Sequence, residues 1–284
     1  MPRHDDPRIP EDVTGKELDR VARGELKALS KENAERVSQH LVMAARLIDE
    51  DPELAHKHAQ AAARRAGRIA VARETLGITA YLTGDFALAL RELRTHRRIS
   101  GSNEQLPLMV DCERGLGRPE KALELGRSVD RATLSVGTRV ELAIALSGAR
   151  LDLGQTEAAL RELEIPQLDP STAYRFSPAL FDSYAVVLAE LGRDDEAAEW
   201  GRRADVAAEA IAEADGRGSS DEIEVIEEDI EFDAGARDDD DIDDDIDASG
   251  DAEGDAGVDL GGASRAAASA GDEGSTSTEG DDVR

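Results

Sequence analysis

The chain has 284 residues and a formal net charge of −29, with 34 Lys and Arg against 63 Asp and Glu; 40% of residues are hydrophobic but only 3% aromatic. Its apolar content is mostly 45 Ala and 28 Leu, a mixture that suits close-packed helices and argues against an all-β or doubly wound fold. One Cys excludes an intramolecular disulfide framework or a cysteine-based zinc site, and no apolar run approaches the roughly 20 residues needed to cross a bilayer.

The first seventeen residues, MPRHDDPRIPEDVTGKE, contain no apolar stretch of the signal-peptide kind, which points to a cytoplasmic protein. Residues 1–14 read as a flexible amino terminus. Thr14-x-x-Glu17 fits a capping box opening a helix at 15–29, placed to cover the exposed end of a helical stack. Beyond it, five segments align: EDPELAHKHA at Glu50, GDFALALREL at Gly84, GRPEKALELG at Gly117, GQTEAALREL at Gly154 and GRDDEAAEWG at Gly192. Each carries an Ala five positions after the turn residue: Ala55, Ala89, Ala122, Ala159 and Ala197. Seven positions before the turn stand Met43, Gly77, Val110, Ser147 and Ala185, and the turns are 34, 33, 37 and 38 residues apart.

A turn, a period and a recurring small residue predict one helix hairpin per repeat. Gly at the turn accepts the left-handed conformation that ends a helix, Asp51, Asp85 or Thr156 caps the next, and Pro52 and Pro119 suit a first helical turn. The predicted pairs are 31–50/52–66, 68–83/86–99, 103–116/119–130, 138–153/156–164 and 178–191/194–215. In the second pair Ile69, Ala72, Leu76, Ala80 and Thr83 form a stripe for burial. Loops at 131–137 and 165–177 absorb the longer intervals.

The period near 34, with Leu76-Gly77, Tyr81, Gly84, Phe86, Ala89 and Leu93, resembles the tetratricopeptide repeat (TPR) over about 31–215. The aromatic residue usual in the middle of the first helix is replaced by Arg46, Ala80, Glu113, Arg150 and Leu188. The fold class implied is all-α: an α-solenoid of about five antiparallel helix hairpins, the TPR-like helical repeat domain spanning 15–215. The resemblance further implies a groove lined by the first helices. Its family positions fall on His40, Ala44 and Leu47, then Glu74, Ile78, Tyr81 and Leu82, Asp111 and Arg114, Ile144, Gly148 and Leu151, and Asp182, Val186 and Ala189. Of the Lys, Arg and Asn set that clamps a terminal carboxylate in the chaperone-binding members, only Arg114 is present, so the groove suits a helical or apolar protein segment.

Nothing in the chain suggests catalysis. The five His read as solvated surface residues, and His56 and His58, two apart on a helix, cannot share a metal as an i/i+4 pair can. Cys112 lacks a CxxC partner and reads as inert, and no GxxxxGK[ST], GxGxxG or GxSxG motif occurs. No cofactor or metal is expected. Arg64, Arg65, Arg68 and Arg73, then Arg91, Arg94, Arg97 and Arg98, cluster at successive junctions, and their forks suit carboxylates from an acidic segment.

Residues 219–284 hold 25 acids against three Arg, a balance of −22, which leaves −7 for residues 1–218. Composition reads 216–284 as a disordered acidic tail. Asp245-x-Asp247-x-Ser249-Gly250 begins like a calcium loop, but Ala256 stands where the bidentate Glu belongs. At 221–232, DEIEVIEEDIEF is a short apolar motif carried by Ile223, Val225, Ile226, Ile230 and Phe232, suited to an added strand or a helix in a groove. So acidic a chain repels nucleic acid. The reading is a non-catalytic scaffold for a protein or peptide segment, modulated by its tail; the alternative is a self-occluded regulator whose tail competes for a basic partner or its own groove, and an unrecognised hydrolase is a weak third. High Arg (29) over Lys (5) suggests a GC-rich bacterial genome.

Overall fold

The computed structural model describes residues 6–216 and 222–223. These form eleven helices: α1 (Arg20–Leu26), α2 (Lys31–Leu47), α3 (Pro52–Arg65), α4 (Ala70–Leu82), α5 (Phe86–Ser100), α6 (Leu106–Gly115), α7 (Pro119–Gly126), α8 (Val136–Leu151), α9 (Thr156–Leu163), α10 (Ser177–Glu190) and α11 (Asp194–Gly216). The described residues are thus all-helical in class, apart from a two-residue ladder between β1 (Ala173–Tyr174) and β2 (Glu222–Ile223).

Local chemistry explains the boundaries. Asp19, Asp51, Asp85 and Ser135 accept hydrogen bonds from the first-turn amides of α1, α3, α5 and α8. Pro52, Pro107, Pro119 and Pro178 occupy first turns, where a missing N–H costs nothing. Gly84, Gly117, Gly154 and Gly192 have φ of 78°, 67°, 67° and 72°, and all four close the preceding helix in one way. The amide after each glycine reaches back five residues (Asp85 to Ala80, Arg118 to Glu113, Gln155 to Arg150, Arg193 to Leu188) and the glycine amide reaches back three, the pattern of a Schellman motif.

Three details differ from the sequence reading. The Thr14 and Glu17 side chains do bond each other, but the helix begins at Arg20 because Asp19 takes the capping role, so the expected helix at 15–29 is only 20–26. Thr156 is inside α9 and Gln155 precedes it without a side-chain cap. Residues 6–14, expected to be flexible, are held: Val13 is 1% exposed and its carbonyl accepts from Gln39.

Each short turn folds a helix back on its predecessor, giving the packed pairs α2/α3, α4/α5, α6/α7, α8/α9 and α10/α11. The recurring Ala55, Ala89, Ala122 and Ala159 are fully buried and Ala197 is half-buried, while the small or apolar positions before the turns are all buried. At Gly77 a Cβ would sit 2.7 Å from Leu93, so the glycine is what lets α4 and α5 approach. First helices of neighbouring pairs also touch (α2 with α4, α4 with α6, α6 with α8, α8 with α10), whereas second helices make no comparable contact with each other. The core is accordingly divided into clusters that follow the chain, from one around Leu26, Leu41 and Val71 to one around Leu163, Phe181 and Leu188. Among the described residues no helix is long and apolar enough to cross a membrane.

Candidate interaction surface

The layer of first helices carries a polar ribbon that crosses three pairs. The Tyr81 hydroxyl on α4 donates to Asp111 on α6. Arg114, also on α6, donates from Nη1 to Asp111 at 2.6 Å and from Nε and Nη2 to the Asp152 carboxylate at 2.8 and 3.2 Å. Asp152 comes directly after α8. A Cβ at Gly148 would lie 2.5 Å from the Arg114 guanidinium, so the glycine lets that plane lie against α8. Burial, reinforced by the charge and hydrogen bond of Asp111, pushes the Tyr81 phenol up, and it remains a neutral donor. Nearby, Glu74 accepts from Gln105 at 3.0 Å and lies 3.8 Å from His96; burial pushes its carboxyl up despite these partners.

The groove positions therefore separate. His40 (0% exposed), Ile78 (2%) and Tyr81 (7%) are buried inside the pairs and offer a ligand little surface. Arg114 is already engaged by Asp111 and Asp152 through all three of its nitrogens. Leu47, Leu82 and Leu151 are partly exposed, and Val186 is 45% exposed. What the structure brings together is the ribbon, Tyr81 with Arg114 through Asp111. Asp152 was missed by sequence reasoning; it sits 38 residues from Arg114, about one repeat interval, and that spacing was the available signal.

Burial also corrects the reading of the histidines. His40 and His58 are fully buried, His96 is 6% exposed, and His56 bonds Thr79 and Gln60. His40 Nδ1 lies 2.9 Å from His58 Nδ1, so the neutral rings hold opposite tautomers, one donating and one accepting. Both Nε2 atoms are buried without a partner. Burial, then the neighbouring His58 and Arg36, pushes His40 down to about 4, and burial lowers His56 and His58. Cys112 is buried, and burial with the charges of Asp111 and Glu113 pushes its thiol up to about 12, far from thiolate reactivity at neutral pH. Among the described residues, no three His, Cys, Asp or Glu are grouped to hold a metal ion. His4 lies outside them.

The arginine set has its own partners. Arg64 and Arg65 clamp Asp6 at 2.6 and 2.8 Å, bringing the amino-terminal arm onto α3. Burial alone would raise the Asp6 carboxyl; hydrogen bonds from Arg65 and Arg64, and their charges, overcome it and hold it at about 2. Asp6 was another residue that sequence reasoning missed. Arg68 is exposed. Beside this clamp a cleft of about 530 Å³ is lined by Ser30, Glu32, Asn33, Glu35, Arg36, Gln39 and Arg65, with both charge signs on its walls. Arg73 and Arg91 both hold the buried Glu92, and Arg94 and Arg118 both approach the buried Glu113. Arg97 and Arg98 make no ion pair among the described residues.

Of the tail motif only Ile223 is described, and there only its backbone: β2 pairs antiparallel with β1, Ala173 opposite Ile223 and Tyr174 opposite Glu222. Val225, Ile226, Ile230 and Phe232 lie outside the described residues, as do the calcium-like segment and most of 216–284. No protein-family model matches the chain, and no curated protein matches it significantly.

Proposed function

We propose that residues 15–215 are an α-solenoid of TPR type and that the protein is a non-catalytic scaffold holding a protein segment along its first helices. The observation that carries this reading is the ribbon from Tyr81 through Asp111 and Arg114 to Asp152, which ties α4, α6 and α8 into one layer. A surface already held in register loses little further freedom on binding. The four identical turn closures and the contacts between successive first helices fit the same architecture. Leu47, Leu82, Leu151 and Val186 supply apolar area along that layer, and the prior engagement of Arg114 argues against a carboxylate clamp.

The test is selection of peptides from a displayed random library on the full chain. The selected peptides are expected to lose at least tenfold in affinity on Leu82→Glu or Val186→Glu, and to be indifferent to Val206→Glu on α11, which is 62% exposed. Peptides insensitive to both first-helix variants overturn the reading.

A further inference from the structure

α5 carries an exposed basic stripe where it packs against the first helices α4 and α6. Arg91, Arg94 and Arg98 fall at i, i+3 and i+7, one helix face, with Arg97 beside them. The Arg91 and Arg94 side chains are 70% and 56% exposed, and each rests on a carboxylate that is only 4% exposed. Glu92 takes Arg73 at 2.5 Å and Arg91 at 2.9 Å; Glu113 takes Arg94 at 2.8 Å and has Arg118 at 3.5 Å. Two carboxylates facing four guanidiniums leave positive charge in surplus, and Arg97 and Arg98 add to it. Anchoring also leaves donors over: a guanidinium has five N–H groups, and Arg94 commits only Nη2. Arg91 and Arg94 are thus fixed from beneath and open above, an arrangement that lowers the entropic cost of binding carboxylates.

We infer that this stripe is the docking surface for the chain's own acidic run, Asp238–Asp241 and Asp243–Asp245. Charge complementarity selects it, because residues 219–284 carry −22 of the −29 total. The length of chain permits it. β2 fixes Ile223 on β1 and beside α11, and α5 lies three helix pairs away, about 30 Å at roughly 10 Å per step. Fifteen residue-to-residue steps lead from Ile223 to Asp238, and they reach about 50 Å when extended. Tethering makes the local concentration of the run on the order of millimolar, which favours the chain's own tail over a second copy at micromolar protein. The inference uses none of the apolar groove positions Leu47, Leu82, Leu151 and Val186, and so stands apart from the groove reading.

The test places a nitroxide on Ser249→Cys in the full chain and reads the amide signals of Arg91–Arg98. Cys112 is buried with its thiol pushed up to about 12, so the label goes to position 249. At 50 mM salt these signals are expected to lose more than half their intensity, independently of protein concentration, and to recover at 1 M salt. They recover equally in a chain with every Asp of 238–245 changed to Asn, which leaves the helices untouched, and in Arg97→Glu/Arg98→Glu, where no ion pair is broken. Broadening that persists in the Asn chain, or that appears only on other helices, overturns the inference. Broadening that fades on dilution overturns it in favour of a second copy, and signals unaffected throughout overturn it in favour of an acidic partner.

Discussion

The first and last helix pairs are both hairpins, the first turned without a glycine and the last through Gly192, and they are filled with different chemistry. Between α2 and α3 the contact is made by Ala44, Ala59 and Ala63, and two imidazoles meet in the interior with no solvent exposure. Between α10 and α11 the filling is aromatic: Trp200 meets Phe181 and Tyr184 edge-on at 5.1 Å each, and Arg203 covers its face at 4.7 Å. The comparison teaches that turn and period determine the pairing of helices, while the filling determines which condition separates them. An aromatic contact answers to lost volume; a buried imidazole pair answers to protons.

The largest effect belongs to the aromatic end. Phe181 is 2% exposed at the centre of its cluster, so Phe181→Ala is expected to cost about 3–5 kcal/mol, the transfer loss plus the cavity left behind. Urea denaturation measures it, and the loss should be the same at pH 7 and pH 5, since no His, Asp or Glu is among the described members of the cluster. A loss that grows on acidification removes the contrast between the two pairs.

The imidazole pair comes next. His40 is held at about 4 in the folded chain against an ordinary 6.5, with burial, His58, Arg36 and Arg65 opposing its charge and Asp6 favouring it. Between these two values the unfolded chain binds more protons than the folded one, so stability falls as pH drops from 6.5 to 4. The shift corresponds to roughly 3 kcal/mol. His40→Leu/His58→Leu removes both rings together and leaves neither one unpaired. Urea midpoints between pH 7 and 4.5 should decline steeply in the native chain and much less in this variant. Equal slopes would show that the acid sensitivity originates elsewhere.

Legibility in the sequence tracks the range of the interaction. The turn glycines and the buried Ala five residues later were legible because a hairpin is made by neighbours in sequence. The fate of His40 was not, since His58 lies 18 residues away across the turn and the ring's burial depends on both helices. Asp6 and Arg64 are 58 residues apart, and Arg114 and Asp152 38. No local pattern announces such partners. Tyr81 shows the limit most clearly: the resemblance made it a groove position, but only the position of α6 reveals that Asp111 takes its hydroxyl. β1 and β2, two residues each, are too short for any alternation to be seen.

The two ends of the described chain supply the smallest and sharpest comparison. At the amino-terminal end Asp6 is enclosed, its side chain 15% exposed between two arginines. At the carboxy-terminal end Arg175 meets Asp215 with both side chains about half exposed. Asp6 is held at about 2, below the ordinary 3.8, so its contribution is present above 3.8 and is lost as pH falls toward 2, outside the imidazole window. Because Arg64 and Arg65 are 35% and 40% exposed, solvent screening reduces the value of the clamp, and Asp6→Asn should cost about 1 kcal/mol at pH 7 and less at 1 M salt. Asp215→Asn, in the more open pair, should cost below about 0.5 kcal/mol. Measured by urea denaturation at low salt, the ordering of the two is what matters: an Asp215 variant that loses more than the Asp6 variant means that the strand ladder, and not the amino-terminal arm, is the firmer seal.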